Sequence, residues 1–486
     1  MQLVSEVAKR SVKRRSLTTD AEQKRWSQYF TEPEVARYMA GLVTGPKSDT
    51  CRVLDPGAGT GILGFAVTER LLSAGYQSVE LVAVEPEPNA REDLEKAKKQ
   101  AELEYGDRLS INIRDTDFLE MGELRLDAEP IEPFDVVIAN PPYYKMSPSD
   151  KRGGDSPNIY SRFMEVSAKL LRQGGELCYI IPRSYASGYY FRRFRKRFHA
   201  TMSLARVHIF DSRKDAFKND GVLQENIIVY YRKGKPEKET VVIASSAGAG
   251  DIESPRHLEV QRSDILRPTD PNGVLSLPIT DADLDLMKLF DGLPGRLRDF
   301  GLEISTGPVV PFRARPLLVK KGDDAAIYPL LWMQHVRDGV VTWPLGEGFR
   351  KEERILECAP VELLVPNGNY VLMRRFSAKE EKKRIVAAVL LAGELPFDFL
   401  GLENHLNFIH RPGGELTESE AVGLAGLLNS SYVDGYFRIS SGNTQVSATE
   451  MRSLPLPSMK RINAIGKQLM DAPENLEEIV WEGLNV

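Results

Sequence analysis

The strongest chemical signal in the chain is a tetrapeptide suited to binding an amine. Asn140-Pro141-Pro142-Tyr143 directly follows the apolar run 134–139. Because consecutive apolar residues stopped by two prolines are typical of a short buried strand, we expect Asn140 at the end of that strand, where open α/β folds bind their ligands. The Asn140 amide oxygen and the Pro141 carbonyl can then both accept hydrogen bonds from one exocyclic NH2 group, which frees the lone pair of its nitrogen for attack.

The aromatic residue of the tetrapeptide has two interpretations. Tyr143 offers a flat ring on which a heteroaromatic base can stack, a contact worth roughly 1–3 kcal/mol per base. Alternatively, the four residues form a strand-ending turn, in which the prolines only stop the strand and Tyr143 packs in the core. The four residues alone leave both interpretations open.

A glycine-rich turn upstream predicts a second site. The sequence 51–55 reads as a strand, and 56–64 reads as a turn that enters an apolar helix. Glycines in such a turn allow positive φ angles and let the backbone contact a ligand. Since Gly59 to Gly64 also fits the dinucleotide-binding fingerprint, the glycines alone do not distinguish a nicotinamide cofactor from an adenosyl cofactor.

The next two strands favour the adenosyl cofactor. Glu85 follows the predicted strand 79–84, where its carboxylate can accept hydrogen bonds from both ribose hydroxyls. Asp117 can accept from an adenine amino group, and the Phe118 ring can cover the adenine face. An Asn-Pro-Pro-Tyr sequence on the following strand has no task in hydride transfer, so a nicotinamide reaction leaves it unexplained.

In this order, the motifs resemble those of S-adenosylmethionine-dependent DNA amino-methyltransferases from bacterial restriction–modification systems. The segment 29–36 resembles the one that precedes the glycine loop in the gamma-type subgroup, in which the cofactor motifs, the catalytic motif and the target-recognition domain follow one another. The resemblance implies catalytic roles for Asn140, Pro141, Pro142 and Tyr143, and cofactor contacts from Thr31, Asp55, Pro56, Gly57, Gly59, Gly61, Glu85, Asp117 and Phe118.

The resemblance also implies a fold and a reaction. We expect a Rossmann-like class I methyltransferase domain with a mainly parallel seven-stranded sheet, followed by an α+β target-recognition domain. The expected reaction methylates N6 of an adenine flipped out of double-stranded DNA, with Tyr143 and Phe217 covering the two faces of the base. The implied partner is a cognate restriction endonuclease on a separate chain. N4 of cytosine is the nearest alternative target, and protein glutamine or RNA are more distant ones.

Length and composition agree with a two-domain enzyme. The 486 residues exceed one ordinary core, and 42% hydrophobic with 27% charged residues is typical of a globular protein. The small, polar stretch 245–251 reads as a linker, so we expect a catalytic domain at 1–245 and a recognition domain at 246–486. No apolar run reaches the roughly 20 residues of a membrane span. The three scattered cysteines predict a reducing cytoplasm, and their spacing suits neither disulfides nor a metal.

A basic segment predicts contact with DNA despite the net charge of −5. The sequence 189–199 is rich in arginine, and we expect Arg192, Arg193 and Arg195 to bind phosphates. The same segment also has the spacing of an amphipathic helix. Its aromatic residues are expected to face the core, namely Tyr190, Phe191, Phe194 and Phe198.

The C-terminal half contains no glycine loop and no defensible catalytic set. The stretches 301–313 and 427–457 resemble C-terminal recognition regions of the same family. Within the second stretch, the loop 441–446 is rich in amides and hydroxyls. Because Asn and Gln side chains can pair with adenine edges, Asn443 and Gln445 are the candidate base contacts, although such a sequence is also typical of an ordinary loop.

Overall fold

A computed structural model describes most of the chain, and every structural statement below refers to that part. The described residues are 2–18, 30–123, 132–147, 150, 156, 158–211, 225–268, 270, 272–320, 326–346, 348–377, 381–441 and 445–485. They form two compact units, Met1–Ile279 and Thr280–Val486.

The N-terminal unit is built on one nine-stranded sheet, in the order β3-β2-β1-β4-β5-β7-β6-β8-β9. Strands β3, β2, β1, β4 and β5 are mutually parallel, whereas β7 pairs antiparallel with both β5 and β6. The strands are β1 (Thr50–Pro56), β2 (Ser78–Val84), β3 (Leu109–Arg114), β4 (Phe134–Ala139), β5 (Leu171–Pro182), β6 (Met202–Phe210), β7 (Asn226–Lys233), β8 (Thr240–Ser246) and β9 (Arg256–Gln261).

Helices accompany this sheet, as expected for parallel strands that need crossover connections. They are α1 (Gln2–Leu17), α2 (Pro33–Leu42), α3 (Ile62–Ser73), α4 (Pro88–Tyr105), α5 (Phe118–Glu123), α6 (Ile159–Leu170), α7 (Ser184–Ser187), α8 (Arg192–His199) and α9 (Arg262–Ile265).

The apolar runs of the sequence form the central strands because these are covered on both faces. In β4, Val136, Val137 and Ile138 have no solvent exposure. Residues of α1 to α4 join the strands in one core cluster. The central strands are therefore held in place by packing, and their carboxyl ends provide a fixed edge for a site.

The predicted α/β class and the seven predicted strands are confirmed, and two further strands extend the sheet. Strand β8 pairs parallel with β6, and β9 pairs antiparallel with β8. The boundary predicted after residue 245 falls at the end of β8. The structure instead divides the chain after Ile279, because β9 and α9 belong to the first unit.

The C-terminal unit combines two sheets with helices. The six-stranded sheet has the order β10-β20-β17-β18-β14-β13, and the five-stranded sheet has the order β11-β15-β12-β19-β16. Its strands are β10 (Glu303–Thr306), β11 (Leu318–Val319), β12 (Ile327–Leu331), β13 (Val336–Arg337), β14 (Gly339–Val341), β15 (Arg354–Leu356), β16 (Leu364–Pro366), β17 (Tyr370–Arg374), β18 (Ala387–Leu390), β19 (Phe399–Leu402) and β20 (Leu406–His410).

The helices of this unit are α10 (Asp281–Asp291), α11 (Pro311–Ala314), α12 (Glu418–Asn429), α13 (Ser431–Ser440), α14 (Ala448–Ser453), α15 (Met459–Asp471) and α16 (Leu476–Leu484). Apart from α11, these helices contribute apolar residues to one core cluster with strands of the six-stranded sheet. The unit is thus of the α+β type that was expected.

Three further observations concern membranes, cysteines and metals. No described helix is long and apolar enough to cross a membrane. Cys51 and Cys178 are buried free thiols, and Cys358 is an exposed one. Within the described ranges, no cluster of His, Cys, Asp and Glu side chains could hold a metal ion.

Candidate active site

The chemistry-bearing residues meet at the carboxyl edge of the parallel strands. Asp55 lies near the end of β1, Glu85 directly follows β2, and Asn140 directly follows β4. Asp117 lies beyond the end of β3 and directly precedes α5. Since β1 pairs with both β2 and β4, the glycine turn after β1 lies between the ribose-binding candidate and the amine-binding candidate.

The glycine turn has the backbone conformation that its sequence predicts. Gly57, Gly59 and Gly61 have φ angles of 75°, 57° and 89°, a region that favours glycine. A Cβ atom on Gly61 would also come within 2.5 Å of the Leu94 side chain. The turn therefore needs glycine at Gly61 for both backbone and packing reasons.

Asp55 lies beneath this turn. Its Oδ2 atom accepts a hydrogen bond from the Gly64 N–H at 2.8 Å, which secures the first turn of α3. Burial raises the pKa of Asp55 to about 7. Asp55, Pro56 and Gly61 are absent from the residues that line the adjoining cavity. In this conformation these three residues shape the turn, and they do not face the cavity.

Glu85 faces the cavity and is held by two backbone amides. Its Oε2 atom accepts from the Gly59 N–H at 2.7 Å, and its Oε1 atom accepts from the Glu87 N–H at 2.8 Å. Burial raises the pKa of Glu85 to about 7, although these two hydrogen bonds act in the opposite direction. Each oxygen keeps a lone pair for a hydroxyl donor.

A cavity of about 330 Å³ connects these groups, a volume within the range of small-molecule sites. It contains the predicted residues Thr31, Gly57, Gly59, Glu85, Asp117, Phe118, Asn140 and Pro142, and also residues that the sequence analysis missed, namely Ser11, Phe30, Ala58, Thr60, Ile62, Leu63, Val84, Pro86, Ala90, Tyr144, Ile159 and Phe163. Among the described residues of its lining there is no Lys, Arg or His. The cavity walls supply carboxylates, hydroxyls, backbone groups and aromatic rings.

Aromatic rings lie at the adenine-binding candidate. Asp117 Oδ1 accepts from the Leu119 N–H at 2.8 Å, which fixes the carboxylate at the start of α5. The Phe118 ring lies 4.9 Å from the Phe163 ring, and both rings reach the cavity. Phe163 comes from α6, whose apolar spacing predicts a core helix and gives no sign of ligand contact.

Asn140 is oriented from two sides. Its Nδ2 atom donates to Thr31 Oγ1 at 3.1 Å, and its Oδ1 atom lies 2.5 Å from the Tyr143 hydroxyl. The same hydroxyl lies 2.9 Å from the Ile180 carbonyl oxygen, so its single proton can serve either acceptor. These contacts fix the orientation of the Asn140 amide at the edge of the cavity that it lines.

Tyr143 and Tyr144 differ in their access to the cavity. Tyr143 is only 6% exposed, and its ring makes an edge contact with Tyr160 at 6.2 Å. Tyr144 lines the cavity and Tyr143 does not. In this conformation Tyr143 orients Asn140 through its hydroxyl, and a stacking contact requires its ring to become accessible.

The basic segment divides into buried and exposed arginines. Arg195 has no solvent exposure, and its guanidinium donates to the carbonyl oxygens of Tyr185 at 2.7 Å, Gly188 at 2.9 Å and Asn272 at 2.8 Å. The prediction that Arg195 binds DNA phosphate is therefore wrong, because its donors serve the protein backbone. Arg193 is exposed.

The other residues of this segment follow the amphipathic prediction in part. Phe191, Phe194 and Phe198 are buried, whereas Tyr190 is 54% exposed, so the prediction that it faces the core is wrong. Tyr190 precedes α8, where the backbone is a 3-10 turn and the α-helical spacing does not apply. Arg192 packs over the Tyr189 ring at 4.1 Å.

The remaining predicted contacts lie elsewhere. Phe217 and Asn443 are outside the described residues. Gln445 is half-buried and forms an isolated β-bridge with Phe376 in the C-terminal unit. Gln445 therefore has a defined backbone position, and its contact with a base stays a prediction.

Comparison with known proteins identifies the family. The model of the Eco57I restriction-modification methylase family matches residues 54–217. The chain is 35% identical to the type II methyltransferase M.PstI of Providencia stuartii over 91% of this chain and 89% of that protein. It is 33% identical to M.BsuBI of Bacillus subtilis over 93% of this chain and 91% of that protein.

The cryo-EM structure of the DrdV–DNA complex is similar in fold, with a TM-score of 0.50 and 14% identity. The alignment covers 93% of this chain and 57% of that chain. At this identity the similarity concerns the fold alone.

The N-terminal unit has the fold of class I S-adenosylmethionine-dependent methyltransferases. The chain belongs to the type II methyltransferases of restriction–modification systems, which methylate DNA. Its cofactor is S-adenosylmethionine. The cavity fits this cofactor, because its lining offers the carboxylates of Glu85 and Asp117 as acceptors for hydroxyl and amino donors, together with the Phe118 ring.

Proposed function

We propose that this chain methylates N6 of an adenine flipped out of double-stranded DNA and thereby protects host DNA from a restriction endonuclease on a separate chain. The observation that carries the proposal is the position of Asn140. The residue lines the cofactor cavity directly after β4, and hydrogen bonds with Thr31 and with the Tyr143 hydroxyl orient its side-chain amide. The adenine assignment rests on the resemblance of the motif order to gamma-type enzymes.

On the cofactor side, we assign separate tasks to the cavity residues. The Glu85 carboxylate accepts the ribose hydroxyls, the Asp117 carboxylate accepts the adenine amino group, and Phe118 covers the adenine ring. Thr31 and the loop residues Gly57 and Gly59 complete the cofactor contacts. When bound, the cofactor supplies a methyl group that its positive sulfur already activates, so positioning provides most of the catalysis.

On the substrate side, the target amine donates to Asn140 Oδ1 and to the Pro141 carbonyl oxygen. These contacts strengthen as charge develops on the nitrogen, because both acceptors are fixed before the reaction. A new N–C bond forms as the S–C bond breaks, and the nitrogen then releases one proton to solvent. Tyr143 orients Asn140, and Tyr143 and Phe217 are the proposed stacking partners of the base.

The C-terminal unit is the proposed target-recognition domain. Its α11 segment presents Phe312, which is 76% exposed, next to the exposed Arg313 and Arg315. The Arg313 guanidinium lies 5.3 Å from the Phe312 ring centre. An exposed aromatic residue beside two cations suits contact with the DNA backbone and its bases, which supports this assignment together with the candidates Gln445 and Asn443.

The proposal is tested by the modified nucleoside. DNA from cells that express the chain is digested to nucleosides and analysed by mass spectrometry, with the Asn140→Ala variant as the matched control. N6-methyladenine in the wild-type sample and its absence in the control are the expected results. N4-methylcytosine in place of N6-methyladenine would contradict the adenine assignment, while the assignment of the active site to Asn140 would still hold. Methylation by Asn140→Ala at the wild-type rate would contradict the active site itself.

A further inference from the structure

The N-terminal helix α1 places a hydroxyl group in the cofactor cavity. Its buried residues Leu3, Val4, Val7 and Ala8 form a stripe at helical spacing that packs into the core cluster. Ser11 continues this stripe one turn later, is 5% exposed, and lines the cavity. Position 11 is therefore occupied by a serine, although the spacing of the stripe predicts an apolar residue there.

Ser11 forms a hydroxyl pair with the glycine turn. Its Oγ atom lies 2.5 Å from Thr60 Oγ1, and Thr60 also lines the cavity. Two hydroxyls carry two protons, and the hydrogen bond between them uses one. Among the described residues, the Ser11 and Thr60 side chains form no other hydrogen bond, so the second hydroxyl proton is available to a ligand.

Helix α1 is held in place by contacts of the residues that follow Ser11. Arg14 donates to Asp93 of α4 at 2.7 Å, and Arg15 forms an ion pair with Glu32 at 3.6 Å. Glu32 directly follows Thr31, the residue that orients Asn140. The position of Ser11 is thus fixed by contacts with the same elements that form the site.

The strand order indicates which part of the cofactor meets the hydroxyl pair. The adenine and ribose candidates follow β3 and β2, and the methyl acceptor Asn140 follows β4. The strand between them is β1. The methionine portion of the cofactor must then lie near the turn after β1, which contains Thr60.

The charges of the cavity lining limit which groups can bind the methionine carboxylate. The methionine carboxylate is an anion, yet the described lining contains no Lys, Arg or His and carries the acids Glu85 and Asp117. Neutral donors must therefore hold this carboxylate. The first backbone N–H groups of α3 at Ile62 and Leu63 are available as helix N-terminal donors. Hydroxyl protons of the lining are the available side-chain donors: that of Thr31, whose oxygen accepts from Asn140, and that of the Ser11–Thr60 pair, which lies at the turn after β1.

We propose that Ser11 of α1, paired with Thr60, is a cofactor-binding residue that donates to the methionine carboxylate of S-adenosylmethionine. The inference rests on the cofactor and does not depend on which base is methylated. It makes α1, which precedes all the recognised motifs, part of the binding site.

The test compares two ligands by isothermal titration calorimetry on the full chain: S-adenosylmethionine and its decarboxylated form, which lacks only the carboxylate. The variants are Ser11→Ala, Thr60→Val and the double variant, with Ser16→Ala on the exposed side of α1 as the control. The expected result is a loss of about tenfold in affinity for S-adenosylmethionine in the double variant, with smaller losses in the single variants. Affinity for the decarboxylated form should stay within about twofold.

Two outcomes would overturn the proposal. Unchanged affinity of the double variant for S-adenosylmethionine would show that the pair does not bind it. Equal losses for both ligands would show that the pair only supports the fold of the turn. Circular dichroism shows whether the double variant folds. If it does not, the affinities of Ser11→Ala for the two ligands are judged by the same criteria, because a methyl group at this position continues the apolar stripe and should preserve the fold.

Discussion

Thr31 accepts a hydrogen bond from the Asn140 side-chain amide, with 3.1 Å between Oγ1 and Nδ2, although the residues are 109 positions apart in the sequence. The contact joins the segment that precedes α2 to the end of β4. Together with the Tyr143 hydroxyl, which donates to Asn140 Oδ1, it fixes the orientation of the Asn140 amide.

The first prediction concerns this contact. Thr31→Val keeps the shape of the side chain and removes the acceptor, so kcat should fall about tenfold as the Asn140 amide loses its orientation. Thr31→Ser restores the hydroxyl and should recover most of the rate. Single-turnover methylation of duplex DNA measures both variants. If Thr31→Val retained the wild-type rate, Asn140 would be oriented without Thr31.

A second prediction separates the hydroxyl of Tyr143 from its ring. Tyr143→Phe removes the donor to Asn140 Oδ1 and the Ile180 carbonyl while it preserves the aromatic surface. We expect kcat to fall by up to about tenfold with little change in DNA affinity. Tyr143→Ala should in addition weaken binding of the flipped base, as followed by 2-aminopurine fluorescence at the target position. Identical behaviour of the two variants would argue against separate roles for hydroxyl and ring.

The third prediction concerns pH and Asp55. Burial raises the pKa of Asp55 from an ordinary value of 3.8 to about 7, so the folded state holds a proton that the unfolded state has released. Its contribution to stability is complete below pH 3.8 and is lost as pH rises toward 7. Asp55→Asn does not titrate and still offers an oxygen to the Gly64 N–H.

Urea unfolding at pH 5, 6 and 7 measures this difference, with pH values chosen to span the shift. The free energy of unfolding of Asp55→Asn, relative to wild type, should increase with pH across this window. A relative free energy that stays constant with pH would show that Asp55 is already ionised in the folded protein.

A fourth prediction contrasts two arginines of one helix. Arg195→Gln removes buried donors from three backbone carbonyls and should lower the melting temperature substantially. Arg193→Gln changes an exposed side chain and should leave the melting temperature nearly unchanged. If Arg193 contacts phosphate, its loss should weaken binding to all duplexes and lower the salt dependence of binding by about one unit of slope.

The fifth prediction concerns the division of labour between the two units. A fragment of residues 1–279 keeps all nine strands of the first sheet, whereas a fragment that ends at 245 lacks β9. The longer fragment should bind S-adenosylmethionine and show no preference between specific and random duplexes. Calorimetry and duplex competition measure these two properties. A fragment 1–279 that still selected the full-length target site would place recognition in the first unit.

The sequence by itself determined which segments form the central strands and that Glu85, Asp117 and Asn140 follow them. This was possible because buried parallel strands read as apolar runs, and polar residues or prolines stop them at one edge. The glycine turn was also readable, because positive φ angles at Gly57, Gly59 and Gly61 favour a residue without a side chain.

Only the tertiary structure decided where side chains point and what they contact. Arg195 and Arg193 are nearly adjacent in one basic segment, yet backbone carbonyls from distant residues make Arg195 a buried donor. Ser11 belongs to no motif, and it reaches the cavity only because α1 packs on α3 and α4. These roles depend on contacts between segments far apart in the chain, which local sequence patterns do not encode.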